Sequence, residues 1–523
     1  MSFLETLKGV FRKMFSNSTI EEVLHIQPTI STKMKDAIEL WELMYKNESP
    51  WLEESPTNTV RSLGLASMIA SEKARTATIE MEIKVTGDSE RADFMRDVVS
   101  KIDKTIRKQL EYGIALGGIV IKPYVMKGTN NKYKVGLNYV KAVDFYPLAF
   151  SSEGDVIEAA FVDRIITKDD IYSKVEWHKL VGTTLTIQSK AFIIHNRQMN
   201  NVNTTMTELG NEIPLTDVAE WAEITPTVII KDVDGPMFAY FKMPQSNTID
   251  LNSPLGVSGF SKAVDLIKDA DKIYSDLLWE FEGGQLAVDV DRTALNPIKD
   301  KDGRPIEVLP QRQERLFRHT LDLGTDETYN VFNPDLRDEN YIRGLNNVLM
   351  HIEDVCEISR GSISEVTYAE ARTATEMRIL KQRSFAANAD IQKELQNTLE
   401  KTIDIVDKYC DLYSIVPRGD YEIAYKWDDS IIVDKDTERQ VDLLDVNNGL
   451  LSKVEYRMKW LGETEVQAEE ALQKINEEKK EDLELNNQVM FGLNNSTGET
   501  TDAEASYNSR SQSNASTETT KNE

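Results

Sequence analysis

The sequence predicts an α+β fold that carries an antiparallel helical stalk with a small lobe at its tip, followed by a short helical region. Three observations predict it. Segments of helical and of strand periodicity alternate from about residue 30 to residue 240. Two amphipathic helices then bracket a polar, turn-rich stretch, and near the C-terminus well-capped short helices lead into a tail with almost no large apolar residue.

The 523 residues, 40% hydrophobic and 28% charged, suffice for several packed layers. Neither a long apolar run nor a signal peptide is present, so the protein is expected to begin in a cytoplasm. Cys356, Cys410 and five scattered histidines show no CxxC, HExxH or HxH spacing, which excludes a disulfide framework and offers no metal site. No cofactor is expected. A net charge of -27 argues against a simple nucleic-acid binder, because neutralising phosphates takes clustered Lys and Arg. Any DNA partner must be one that is not gripped tightly.

Taken in order, MSFLETLKGVFRKMF sets Phe3, Leu7, Val10, Phe11 and Met14 at helical spacing, as expected of a membrane-surface helix or of an arm docked on a neighbouring subunit. Residues 91 to 112 read as an amphipathic helix, and GGIVIKPYV, YVKAVDFYPLAF and VIEAAFVDRII as strands. After the breakers Pro254 and Gly256, a stripe from Phe260 to Phe281 predicts a helix of roughly 24 residues stopped at Gly283 and Gly284. Polar residues with strand candidates QLAVDV and TYNVF form the inserted lobe. A second helix is expected from about Glu339 to Ser359, then a polar segment, GSISEVTYAEARTA, and a long helix ending near Tyr409. YEIAYKW alternates as a half-buried strand. Ser452 with Glu455 forms a capping box, Gly462 can end that helix, and Thr464 with Gln467 opens another. Residues 486–523 are expected to be disordered.

Five segments, in this order, resemble the portal proteins of tailed phages of Gram-positive hosts, the Listeria-type siphophage group. They are EYGIALGGIVIKPYV (111–125), PLGVSGFSKAVDLIKDADKIYSDLLWEFEGG (254–284), FNPDLRDENYIRGLN (332–346), RTATE (372–376) and DDSIIVDKDTERQVDLLDVNNGLLSKVEYRMKWLGE (428–463). The resemblance implies a dodecameric ring through which double-stranded DNA passes without sequence recognition. Its implied partners are the large terminase, scaffolding protein, major capsid protein and head-tail adaptor. It also implies a division of the chain: an N-terminal arm (1–29), wing (30–256), stem helix (257–283), clip (284–338), second stem helix (339–359), tunnel loop (360–373), long helix with a wing strand (374–430), crown (431–485) and tail (486–523).

On that resemblance the tunnel loop would carry Arg360, Glu365, Tyr368, Glu370 and Arg372 towards DNA, a mixed-charge surface able to touch a backbone weakly. A plain interhelical loop is the bland alternative. Arg304, Arg312, Arg315 and Arg318 concentrate positive charge in the lobe, either as a solvated, salt-bridged face or as a docking surface for acidic groups. Lys262, Lys268 and Lys272 recur along the first stalk helix among Asp265, Asp269, Asp271 and Asp276, where ordinary i,i+4 pairing competes with a role towards phosphates or the capsid. The glycines of GIALGG lack the Lys-Ser/Thr of a phosphate loop and read as a tight turn. Pairs such as Asp428 with Asp429 or Asp300 with Asp302 arise by chance among 88 acidic residues and do not predict a nuclease. A monomeric or membrane-attached binding protein, anchored by the N-terminal segment, is the competing class.

Overall fold

The computed structural model describes residues 29–53, 60–127, 133–195, 209–285, 287–291, 298–299, 305–306, 317–321, 329–365, 374–427 and 435–492. The N-terminal amphipathic segment and both candidate nuclease pairs lie outside them. The chain divides into a unit running to Ile432 and a second from Val433.

The first unit is built around helix α1 (Thr32–Tyr45), α2 (Leu65–Thr78) and α3 (Glu90–Leu116). Each starts or ends on local chemistry. Ser31 caps α1 by accepting from Met34 N, and Ser89 caps α3 by accepting from Ala92 N. Helix α3 stops at Gly117, in the left-handed region at φ 87°, and Gly118 opens strand β2 (Gly118–Lys127). A Cβ at Gly117 would stand 2.6 Å from the Gly256 carbonyl oxygen. The GIALGG glycines therefore serve close backbone approach between helix, strand and the 256 segment.

Between α2 and α3 lies β1 (Met81–Thr86). After β2 come β3 (Tyr133–Lys141), β4 (Phe145–Phe150), β5 (Val156–Ile166), β6 (Asp170–Val181), β7 (Thr184–His195), β8 (Asn211–Ile213), β9 (Thr227–Ile230) and β10 (Ala239–Lys242). The stretch read as one strand, YVKAVDFYPLAF, is two: a 3-10 turn at Ala142–Asp144 breaks it, so β3 pairs with β2 while β4 opens a different sheet. That sheet runs β4-β5-β6-β7-β8, with β9 also on β7. Between β2 and this sheet sits a buried charge cluster. Glu176 meets Lys122 Nζ at 2.9 Å, His178 Nε2 at 2.7 Å and Lys174 Nζ at 3.5 Å, and Lys174 also reaches Asp163 at 2.9 Å. Burial alone would raise the Glu176 carboxyl, but Lys122 foremost, with His178 and Lys174, holds it well below the ordinary range.

Glu39, on α1, shows what burial does without such partners. Its Oε2 is buried with no hydrogen-bond partner among the described residues. Burial, helped by Asp36 and Glu42 and opposed by Lys35, lifts its carboxyl to about 8. A raised folded-state value means that stability is highest below the ordinary carboxyl range and is lost as pH rises through about 8. Glu39→Gln is expected to raise the melting temperature at pH 9 and to change it little at pH 5. Equal shifts at both pH values would show that Glu39 is already charged in the folded protein.

Helix α4 (Val264–Gly283) and α5 (Asp338–Cys356) form the bracketing pair. The first is shorter than its apolar stripe predicts, because Ser261–Ala263 take a 3-10 turn. They run antiparallel: Glu280, near the end of α4, holds Arg337 at the start of α5, while the Ser261–Ala263 turn packs on α5. Between them lie β11 (Ala287–Asp291), β12 (Ile298–Lys299), β13 (Pro305–Ile306), β14 (Phe317–Leu321) and β15 (Tyr329–Phe332). Strand β11 is central, parallel to β14 and antiparallel to β15. The bidentate Glu280–Arg337 pair, at 3.0 and 2.6 Å, ties the entrance and exit of this lobe together.

Helix α6 (Ala374–Leu412) then crosses the unit, burying Ile391, Leu395, Leu399, Ile403, Val406 and Cys410. The chain turns back as β16 (Glu422–Trp427), antiparallel to β1. Arg91, at the start of α3, locks that turn. It is 2% exposed, and its guanidinium donates to Asp407 and Asp411 carboxylates and to the carbonyls of Asp407, Val416 and Pro417.

The second unit holds α7 (Lys435–Asn447), α8 (Lys453–Leu461) and α9 (Glu465–Gly492). Ser452 and Glu455 make the reciprocal bonds of a capping box, and Gly462 ends α8 in the left-handed region at φ 68°. Helix α9 runs to Gly492, past the boundary drawn at residue 486, so residues 486–492 are helical rather than disordered. The remainder of the tail lies outside the described residues.

Candidate functional site

The segment after α5 is shaped by one buried carboxylate. Glu353 lies in the last turn of α5 with no exposed surface. An acidic residue there opposes the helix dipole, so it needs compensating donors. The chain supplies four. Glu353 Oε1 accepts from the backbone N–H of Gly361, Ile363 and Ser364 at 3.1, 2.7 and 2.9 Å, and Oε2 accepts from Ser364 Oγ at 2.6 Å. The helix ends three residues before the predicted Ser359 because the chain must bend to deliver those donors. Glu357 takes the left-handed conformation at φ 58°, and Gly361 does so at 87°.

Two further contacts fix the stretch that leaves this bend. Asn346 reads both backbone groups of Glu365, accepting from its N–H at 2.7 Å and donating to its carbonyl at 3.0 Å. Ser359 Oγ meets Ser384 Oγ of α6 at 2.8 Å. The connection between α5 and α6 thus begins from a rigid base.

Arg360, the first residue predicted to face a nucleic-acid backbone, is paired within the chain. Its Nε and terminal nitrogen contact the two oxygens of Asp354 at 3.1 and 2.5 Å. The pair is about half exposed, and Arg360 holds the Asp354 carboxyl below its ordinary range. Arg383 approaches the Asp354 carbonyl at 3.4 Å. Glu365 is exposed and placed by Asn346; Tyr368, Glu370 and Arg372 lie outside the described residues.

In the lobe, Arg318 falls on β14, whereas Arg304, Arg312 and Arg315 lie outside the described residues. On the first helix, Lys262 is exposed on the turn before α4, and Lys268 and Lys272 are half-buried on α4. Asp271, grouped by sequence with the carboxylates that could pair with these lysines, has a different task. It is buried and accepts from Trp51 Nε1 at 2.9 Å and Leu63 N at 2.8 Å, pinning α4 to the loops around α1 and α2.

Where α4 begins and α5 ends, Lys73 of α2 is buried with no hydrogen-bond partner for Nζ among the described residues, and burial lowers its affinity for a proton. Burial pushes the neighbouring Cys356 thiol up to about 12, which leaves it a packing group and not a nucleophile. Sequence reasoning missed Glu353, Asn346 and Asp354. The available signal was a polar residue at each of three positions along α5 that face a Gly-containing turn.

Among the described residues, no group of three His, Cys, Asp or Glu could hold a metal, and no helix is long and apolar enough to cross a membrane. The site is an antiparallel helix pair with an inserted sheet at one end and a clamped connection at the other. No curated protein matches the chain. Residues 24–485, which include the helix pair, the inserted sheet and the clamped connection, match the family described as phage portal protein, SPP1 Gp6-like, and the chain belongs to that family.

Proposed function

We propose that this chain is the subunit of a ring of about twelve copies at one vertex of a tailed-phage capsid, of the siphovirus kind found with Gram-positive hosts. DNA passes through the ring during packaging and ejection, and the ring seeds capsid assembly. The family match over residues 24–485 carries the reading. In it, residues 30–256 with 374–430 form the wing, 257–283 and 339–359 the stem, 284–338 the clip, 360–373 the tunnel loop and 431–485 the crown. The clip arginines Arg304, Arg312, Arg315 and Arg318 face the terminase and later the head-tail adaptor. Scaffolding protein and major capsid protein are its further partners during assembly.

The charge decides what kind of channel this is. Each copy carries -27, so a ring of about twelve sums to on the order of -300 charges, and such a field repels duplex DNA. The channel is a low-friction conduit, and the work of translocation belongs to a separate ATP-driven motor. The tunnel loop makes the few backbone contacts, with Arg372 as its main cation, since Arg360 already has Asp354. Particles assembled without this chain are expected to contain no packaged DNA. Substituting Arg372 by Ala should leave assembly intact and alter the amount of DNA packaged or retained; unchanged packaging would remove it from the mechanism.

A further inference from the structure

The helix pair presents two unlike charged sides. Both helices turn their apolar stripes into the same core, Ile267 and Ala270 from α4 and Ile352 and Cys356 from α5. Their polar stripes therefore face solvent. On α4 the exposed stripe is acidic: Asp265, Asp269 and Asp276 fall on one face at i, i+4 and i+11, with the half-buried Lys268 and Lys272 among them. Trp279, 70% exposed, continues that face. On α5 the exposed stripe carries Arg343 and His351, with Glu339 one turn before Arg343, and Arg360 and Arg383 stand beside its end. Arg343 has a neutral partner, Asn340 Oδ1 at 2.6 Å, and Asp354 answers Arg360.

The two stripes also match in level. Because Glu280 bonds Arg337 and the helices run antiparallel, Asp276 lies at about the height of Arg343, and Asp265 and Asp269 at about that of His351 and Arg360. With the helix pair along the ring axis, as the ring reading has it, rotation about that axis leaves these groups at matching heights in adjacent copies.

We propose that the acidic face of α4 in one copy docks on the basic side of α5 and α6 in the next, a heterologous contact that closes the ring. The proposal rests on the ring reading above and names the surface that makes it. It also gives Arg360 and Arg383 a role between subunits rather than towards DNA. Trp279 supplies the apolar surface such a contact needs, since exposed ion pairs alone contribute little and fade with salt.

The test uses full-length protein and two charge reversals. One variant carries Asp265→Lys, Asp269→Lys and Asp276→Lys; the other carries Arg343→Glu and Arg383→Glu. In native mass measurement at low salt, each alone is expected to lose ring yield by about tenfold or more, because like charges then face each other. Mixed together, they should recover rings in which the two variants alternate. Wild-type rings together with unaltered ring yield in either variant would overturn the surface assignment and leave the ring reading standing. Failure of the mixture to assemble would do the same, and would turn attention to DNA or another protein as the occupant. A wild-type protein that stays monomeric would sink the ring reading itself. Should a reversed variant fold poorly, Asp276→Cys with Arg343→Cys is expected to give a ladder of disulfide-linked multimers on oxidation, since Cys356 and Cys410 are buried; absence of a ladder counts against the contact.

Discussion

Arg91→Met is expected to destabilise the first unit by about 3 kcal/mol, at the lower end of the range for breaking a buried ion pair, and to free the turn between α6 and β16. The substitution strips five hydrogen bonds from a side chain 2% exposed, which argues for the full range. Its carboxylate partners Asp407 and Asp411 are 35% and 30% exposed, so water can replace part of what they lose. Arg91→Lys should recover little, because an ammonium cannot span two carboxylates and the carbonyls of Val416 and Pro417 at once. The pH dependence follows. Arg91, with Arg418, holds the Asp411 carboxyl below its ordinary range. That contribution is complete above the ordinary carboxylate range and fades as pH falls through the lowered value. Urea midpoints at pH 7 and pH 3 check both statements: the gap between wild type and Arg91→Met should be wide at the first and narrower at the second.

Glu353→Ala is the second large effect. Three backbone N–H groups and the Ser364 hydroxyl lose their acceptor in a site without exposure, a loss of about 3–5 kcal/mol if the bend holds its place. The cheaper outcome is that it does not hold, and that residues 358–365 open to water. Hydrogen exchange is therefore the informative measurement: the amides of Gly361, Ile363 and Ser364 should lose protection first. Glu353→Gln is predicted to be mild, because its carbonyl oxygen can keep the three N–H donors while its NH₂ donates to Ser364 Oγ. Equal loss of protection in both variants would mean that the charge, and not the pattern of acceptors, holds the bend. In the proposed ring this bend aims the tunnel loop, so Glu353→Ala should also disturb packaging without removing any residue that faces DNA.

The two residues with the largest expected effects are ones that periodicity does not reveal. What the sequence made legible is local. Apolar spacing announced α5 and α6, and the Ser452–Glu455 pair announced α8, because each is decided within a few turns of chain. Arg91 meets its partners more than 300 positions away in sequence, and nothing near residue 91 marks it as anything but a solvated arginine in a helix's first turn. Glu353 has near neighbours for partners, yet they are backbone amides, which every residue has and no motif displays. The same limit explains Asp271, read as one more carboxylate among lysines and found under Trp51. It explains Arg360 as well: a loop arginine reads as available until the fold shows Asp354 beside it.

Reading the net charge alongside these contacts changes what a DNA-handling protein is expected to do with its cations. Among the arginines named for sites, Arg360 is paired within the chain, and on the proposed contact it serves the neighbouring subunit. A conduit needs few cations on its wall, and an acidic ring needs cations where its own copies meet.

In the proposed reading this chain works as a closed ring around a channel. Mass measurement combined with electron imaging of the purified full-length protein tests it most directly. The account predicts a ring of about twelve subunits with an open central channel, the connection between α5 and α6 at its narrowest level, and clip lobes grouped at one end. A monomer that persists at high concentration and low salt, or a compact assembly without a hole, would contradict it.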